Sequence, residues 1–146
     1  MLLLEDVTVT AGEGRVLEAL DLVVRRGETY GAVAADPTVR RAVLELLLGR
    51  SAPDHGRVRV DGLDPVGDAQ LLTGRVGVAD TALEDAVVDP AIDVVLVEAA
   101  ADRPPQLERL IGHIGARSQR SRATVLVLTD DRALAERHCD RVGHLR

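Results

Sequence analysis

The chain has 146 residues and a formal net charge of −6 at neutral pH. This length suits one domain, so we assign residues 1–146 to a single domain. The negative charge disfavours nucleic acid as the main partner, because a polyanion is repelled. Aromatic residues make up only 1% of the chain, and the core is therefore predicted to be aliphatic.

The apolar runs of the chain are short. The longest runs, such as 94–97 and 125–128, fall far below the roughly 18 residues that span a bilayer, so we expect no direct membrane insertion. The first residues reach Glu5 without a basic start, and no signal peptide is predicted. These features favour a cytoplasmic location. The single cysteine, Cys139, excludes an internal disulfide and is expected to be a buried thiol.

Runs rich in β-branched and aliphatic residues predict eight strands. In chain order they are residues 2–9, 16–24, 28–34, 57–60, 75–79, 92–97, 123–128 and 141–145. Stretches with apolar residues at helical spacing predict four helices. In chain order they are residues 37–48, 66–72, 104–114 and 132–139.

The order of these elements indicates an α/β fold. The first two strands are joined by a glycine-containing turn, which predicts an antiparallel start. The later strands are continuously apolar and alternate with helices. This pattern is typical of a mainly parallel sheet that is covered by helices on both faces.

The succession of sequence phrases resembles the ATP-binding domains of ABC transporters, which are P-loop NTPases. The matching phrases are LLEDVTV (3–9), VLEALDL (16–22), RGE (26–28), LLLG (46–49), HGRVRVDG (55–62), ATVLVLT (123–129) and ALAERHCDR (133–141). The resemblance covers most of the chain and implies a P-loop NTPase-like sheet. The family inserts a long helical subdomain with an LSGGQ signature after the position of Asp80. Only about a dozen residues precede the strand at Ile92 here, so we expect that subdomain to be missing.

The phosphate-binding loop of this family has the pattern G-x-x-x-x-G-K-S/T. The matching window is AADPTVRR at 34–41, which has neither glycine. Arg40 stands in the lysine position, and Arg41 replaces the Mg²⁺-binding hydroxyl although arginine has only donors. No lysine occurs in the chain to substitute for the missing one. The resemblance therefore implies a degenerate Walker A motif.

The same window also has the pattern of an ordinary helix start. Asp36 is a preferred N-cap residue and Pro37 is preferred at the first helical position. A cap would use the N–H groups that a phosphate needs. One binding hypothesis stays open, in which Thr38, Arg40 and Arg41 at the positive helix end hold another anion.

The other motifs of the family are also altered. At the end of the Walker B-like strand, Val97 stands in the place of the Mg²⁺-binding Asp, and Glu98 in the place of the catalytic Glu. Without a metal ligand beside it, Glu98 is expected to flank the sheet end and not to act as a base. Asp80 replaces the γ-phosphate-sensing Gln, and Asp130 replaces a His that contacts the γ-phosphate.

Aromatic and histidine residues offer no clear site. Ala11 falls where the family has an aromatic residue that stacks on adenine. Tyr30 is the only aromatic residue, and its position inside a predicted strand indicates a packed side chain. The histidines lack metal-ligand spacing and are expected to be solvated. They are His55, His113, His138 and His144.

The sequence thus favours a pseudoenzyme with no catalytic residue, no metal and no cofactor. Such a protein would act as an accessory or regulatory subunit through contacts with an intact ABC ATPase or an ABC membrane subunit. Two alternatives stay open. In the first, the chain is an ATP-binding subunit of an ABC transporter with residual nucleotide binding or hydrolysis that a partner completes, and its cofactor would be ATP without productive Mg²⁺. In the second, the chain is an anion-binding regulatory module.

Overall fold

The computed structural model describes residues 1–12, 14–79, 91–100, 108–114 and 123–145. The strands are β1 (Leu2–Ala11), β2 (Gly14–Val24), β3 (Thr29–Val33), β4 (His55–Val60), β5 (Val76–Ala79), β6 (Val94–Ala99), β7 (Thr124–Thr129) and β8 (Arg141–His144). The helices are α1 (Pro37–Leu47), α2 (Ala69–Leu72) and α3 (Arg132–His138). Residues 108–114 are helical as well. The predicted strands and helices are confirmed within a few residues, except that 104–107 lie outside the described residues.

The strands form two sheets. A three-stranded sheet with the order β2-β1-β4 is antiparallel, with Leu2 opposite both Val24 and Val60. A five-stranded sheet with the order β5-β6-β7-β3-β8 is parallel throughout. The antiparallel start and the mainly parallel sheet are therefore confirmed.

Helices cover both faces of the parallel sheet. Alternate side chains of a strand point to opposite faces, so β6 and β7 contribute to two separate cores. On one face Val94, Leu96, Leu126 and Leu128 pack in a cluster with Val43, Leu46 and Leu47 of α1 and with the antiparallel sheet. On the other face Val95, Val97, Val125 and Val127 pack in a cluster with Leu110, Ile111 and Ile114 and with Leu134 of α3.

The length of the segment between β5 and β6 and the character of the described helices complete the description of the fold. Only residues 80–93 separate β5 from β6, which leaves no room for a long helical subdomain. Within the described part of the chain, none of the helices has the length and apolar character needed to cross a membrane.

Candidate functional site

The candidate site lies where the parallel strands β3, β6 and β7 end. Ligands of α/β sheets bind at the carboxyl ends of the strands. Here these ends are joined by the chain's own hydrogen bonds. The Ala34 N–H donates to the carbonyl oxygen of Thr129 over 2.8 Å. The Thr129 hydroxyl donates to the carbonyl oxygen of Ala99. The loop after β3 is therefore bonded to the end of β7, and the end of β7 is bonded to the end of β6.

Asp36 caps α1, as the sequence predicts. Its backbone is extended (φ −80°, ψ 117°), and its Oδ1 accepts a hydrogen bond of 2.9 Å from the N–H of Thr38. The Asp36 carbonyl oxygen accepts from the N–H groups of Val39 at 3.2 Å and of Arg40 at 3.3 Å. Pro37 has no N–H to offer. The backbone donors at the start of the helix are therefore either absent or already bonded.

The side chain of Arg40 turns into the protein and is only 3% exposed. Its Nη1 donates to the carbonyl oxygens of Ala34 at 2.7 Å and of Ala35 at 3.2 Å. Its Nε is buried and has no hydrogen-bond partner among the described residues. The cation in the lysine position is thus bound to loop carbonyls and faces away from solvent.

The other two candidate anion ligands lie in a different environment. Thr38 is exposed. The Arg41 side chain is 78% exposed, and its Nε lies 3.8 Å from Oε1 of Glu45, one helical turn further along α1. The structure therefore separates the three residues, with Arg40 in the interior and the other two in solvent. Anion binding by Thr38 and Arg41 stays a prediction.

The end of β6 lacks the ligands that a metal ion needs. Val97, in the position of the Mg²⁺-binding Asp, is fully buried in the core. Glu98 is half-buried and lies beside Leu128 of β7 in the parallel register. Its carboxylate has no hydrogen bond or ion pair within the described residues. No group of three or more His, Cys, Asp or Glu side chains among those residues could hold a metal ion.

Two acidic residues, Asp130 and Asp131, follow β7. Asp130 is exposed. Asp131 is the N-cap of α3, and its Oδ1 accepts a hydrogen bond of 3.2 Å from the N–H of Leu134. An acid therefore stands at the position where the family has a γ-phosphate-binding His. Asp80, the residue in place of the γ-phosphate-sensing Gln, lies outside the described residues.

No aromatic platform for adenine lies at the expected place. Ala11 is exposed and pairs with Gly14 at the β1–β2 turn. Tyr30 is a half-buried residue of β3, which confirms the prediction of a packed side chain. The Cζ atom of Arg141 lies 5.1 Å from the centre of its ring, in cation–π contact.

The predicted exposure of the histidines and that of the cysteine each need one correction. His55, His113 and His144 are exposed as predicted, but His138 is half-buried, with its Nε2 3.4 Å from Oε1 of Glu108. The Cys139 thiol is only partly buried, not fully as expected, because it sits at the end of α3 beside the second core cluster. Burial raises the pKa of this thiol to about 12.

The inward direction of Arg40 was missed by the sequence interpretation, which assigned Arg40 to a ligand site. A signal was present. Arg40 precedes the buried Val43 and Leu47 by three and seven residues, which is the spacing of one helix face. An arginine on that stripe must bury its charge and find acceptors, and the nearest ones are the loop carbonyls.

Residues 34–41 do not fit Mg-ATP in the observed conformation. A phosphate needs free N–H groups and a cation that faces it, and Mg²⁺ needs oxygen ligands. Here the N–H groups are bonded to Asp36, and the buried cation is bonded to carbonyls. A carboxylate stands at the helix start, where it repels an anion.

Comparisons with known proteins agree with the fold. No family model matches the chain. A stretch of 63 residues is 38% identical to the Nod factor export ATP-binding protein I of Azorhizobium caulinodans and covers 43% of this chain and 20% of that protein. A stretch of 116 residues is 29% identical to the daunorubicin resistance ATP-binding protein DrrA3 of Streptomyces coeruleorubidus and covers 80% of this chain and 34% of that protein. The chain thus spans about a third or less of the length of these curated relatives.

Solved structures give the same result over the whole chain. An ATP-binding subunit of an ABC transporter superposes with a TM-score of 0.79 at 14% identity and covers all of this chain and 86% of that one. A dimeric ATP-binding cassette in a post-hydrolysis state with ADP and Pi superposes with a TM-score of 0.77 at 14% identity, over all of this chain and 94% of that one. In sequence and in fold, the chain is therefore similar to the ATP-binding domains of ABC transporters.

Proposed function

We propose that this protein is a non-catalytic relative of the ABC ATPases, a pseudoenzyme that keeps their scaffold and acts through protein contacts. The observation that carries the proposal is the state of the backbone donors at the start of α1. Pro37 lacks an N–H, and the N–H groups of Thr38, Val39 and Arg40 are bonded to Asp36. A nucleotide phosphate would have to displace these bonds and approach the Asp36 carboxylate.

The electrostatics of the site support the same proposal. Phosphoryl transfer depends on positioning and on neutralisation of the negative charge that the phosphates carry. The cation best placed for this, Arg40, is buried and bonded to carbonyl oxygens. The nearest other cation on α1, Arg41, extends into solvent beside Glu45. Neither guanidinium neutralises a phosphate in this arrangement.

The metal-dependent part of the reaction has no support either. The buried Val97 offers no side-chain oxygen at the position where the family has a Mg²⁺ ligand. Glu98 could orient a water molecule only against a bound nucleotide and metal, and no metal ligand set accompanies it in the described residues. Its position at the end of β6 is consistent with a residue that flanks the sheet. We infer that ATP is not hydrolysed.

The partner is inferred from the fold and from the relatives. Both relatives are named as ATP-binding proteins, one of Nod factor export and the other of daunorubicin resistance. We propose a cytoplasmic accessory or regulatory subunit that contacts an intact ABC ATPase or an ABC membrane subunit. The identity of the transported compound forms no part of this proposal.

A phosphate-release assay with Mg-ATP tests the absence of hydrolysis. We expect the purified protein to release phosphate no faster than its heat-denatured sample. The matched control variant is Glu98→Gln, because this substitution leaves the activity of a contaminating ATPase unchanged. Saturable turnover that the Glu98→Gln variant abolishes would show a working base and contradict the proposal.

A further inference from the structure

Arg40 presents an unusual electrostatic arrangement. The residue is 3% exposed, and among the described residues no carboxylate forms an ion pair with its guanidinium. A buried charge is costly unless it is paired or well hydrogen-bonded. The bonds that it does make, from Nη1 to the carbonyl oxygens of Ala34 and Ala35, are therefore what holds it in place.

The same bonds fix the orientation of the loop between β3 and α1. The carbonyl oxygen of Ala34 is turned toward Arg40, and its N–H is turned toward Thr129 at the end of β7. An anion-binding loop has the opposite polarity, with N–H groups directed at the ligand. The interior of this loop therefore presents acceptors, which suit a cation.

We propose that the guanidinium of Arg40 permanently occupies the interior of the loop formed by residues 34–36. Its hydrogen bonds keep this loop closed, with the carbonyl oxygens of the loop directed inward. When the Arg40 side chain is removed, the loop binds an added guanidinium group and does not bind phosphate. This inference deepens the proposed function and rests on it in one respect, because the loop is taken to hold no nucleotide.

Chemical rescue of Arg40→Ala tests the proposal. The substitution removes the guanidinium and leaves two loop carbonyls without their donor, while alanine keeps a high helix propensity. Arg41→Ala is the matched control, because its side chain is exposed. We expect Arg40→Ala to lower the melting temperature and Arg41→Ala to leave it nearly unchanged.

The added probes are methylguanidinium chloride and sodium phosphate, each at about 20 mM and at equal ionic strength. Methylguanidinium should raise the melting temperature of Arg40→Ala by about 2 °C or more, since a ligand that binds only the folded state stabilises it. It should not raise that of the wild type or of Arg41→Ala. Phosphate should not stabilise Arg40→Ala.

Three results would overturn the proposal. The first is an Arg40→Ala variant as stable as Arg41→Ala, and the second is the absence of rescue by methylguanidinium. The third is stabilisation by phosphate, which would mean that the emptied loop presents its N–H groups. None of these measurements includes nucleotide, so these three results contradict only the proposal about the loop. ATP turnover is a separate result, which would contradict the proposed function.

A second variant covers the case in which Arg40→Ala does not fold. Arg40→Lys keeps a positive charge but lacks the planar fork that reaches two carbonyls. We expect hydrogen exchange at the amide of Ala34 to be about tenfold faster in Arg40→Lys than in the wild type, because the loop opens more often. Arg41→Lys serves as the control. Equal exchange rates in the two variants would contradict the proposal.

Discussion

Removal of the Asp36 carboxylate should destabilise the protein by an amount that follows from two contacts. The Asp36→Ala variant loses the hydrogen bond of 2.9 Å from the Thr38 N–H to Oδ1, and loss of an N-cap side chain costs about 1 kcal/mol. It also loses a negative charge at the positive end of α1, worth about 0.3 kcal/mol at an exposed position. We therefore expect a loss of about 1.3 kcal/mol and a melting temperature lower by about 4 °C.

Urea denaturation followed by circular dichroism measures this loss. The midpoint should fall while the m-value stays unchanged, because the surface exposed on unfolding is the same. Asp130→Ala is the control, since Asp130 is an exposed acid that caps no helix. Asp36→Asn should keep most of the cap and lose only the charge effect. A free energy of unfolding for Asp36→Ala equal to that of Asp130→Ala would mean that the Asp36 carboxylate does not stabilise α1.

Two further substitutions and one labelling experiment probe the rest of the fold. Hydrogen bonds from the Thr10 side chain and backbone lower the pKa of Asp54 in the folded state. The ionised Asp54 therefore stabilises the folded state above its unfolded pKa near 3.9, and this stabilisation is lost as the pH falls through the lower folded pKa. The urea midpoint of Asp54→Ala should accordingly be below that of the wild type at neutral pH and approach it in acid. Because burial raises the pKa of Cys139 to about 12, iodoacetamide near neutral pH should alkylate the native thiol on the order of a thousandfold more slowly than the urea-unfolded thiol. In Gly31→Ala the new Cβ would lie 2.7 Å from the Cβ of Ala135, so calorimetry should find a loss of about 1–3 kcal/mol from overpacking.

The sequence predicted the fold well where the determinants are local. The strands follow from apolar runs, and the start of α1 follows from Asp36 and Pro37, whose capping chemistry needs no distant partner. The predicted helix over 66–72 was too long at its start. There the Oδ1 of Asp64 accepts from the Val66 N–H at 3.0 Å, and such an Asx turn competes with helix.

The site was harder to predict because it depends on contacts between distant segments. An arginine is seldom buried, so the pattern that places Arg40 on the core face of α1 was outweighed by its charge. The bond from the Thr129 hydroxyl to Ala99 requires that β6 and β7 be neighbours. Likewise, the contact of Arg141 with Glu28 at 2.6 Å exists only because β8 pairs with β3.

We propose that the loop between β3 and α1 does not bind nucleotide, and a thermal-shift titration with Mg-ATP and ADP measures such binding. A ligand at one hundred times its dissociation constant adds about 2.7 kcal/mol to the stability of the folded state, which is a shift of several degrees. We expect no shift at millimolar nucleotide. A saturable rise in melting temperature would contradict this proposal, because the donors bonded to Asp36 would then have been released to a phosphate.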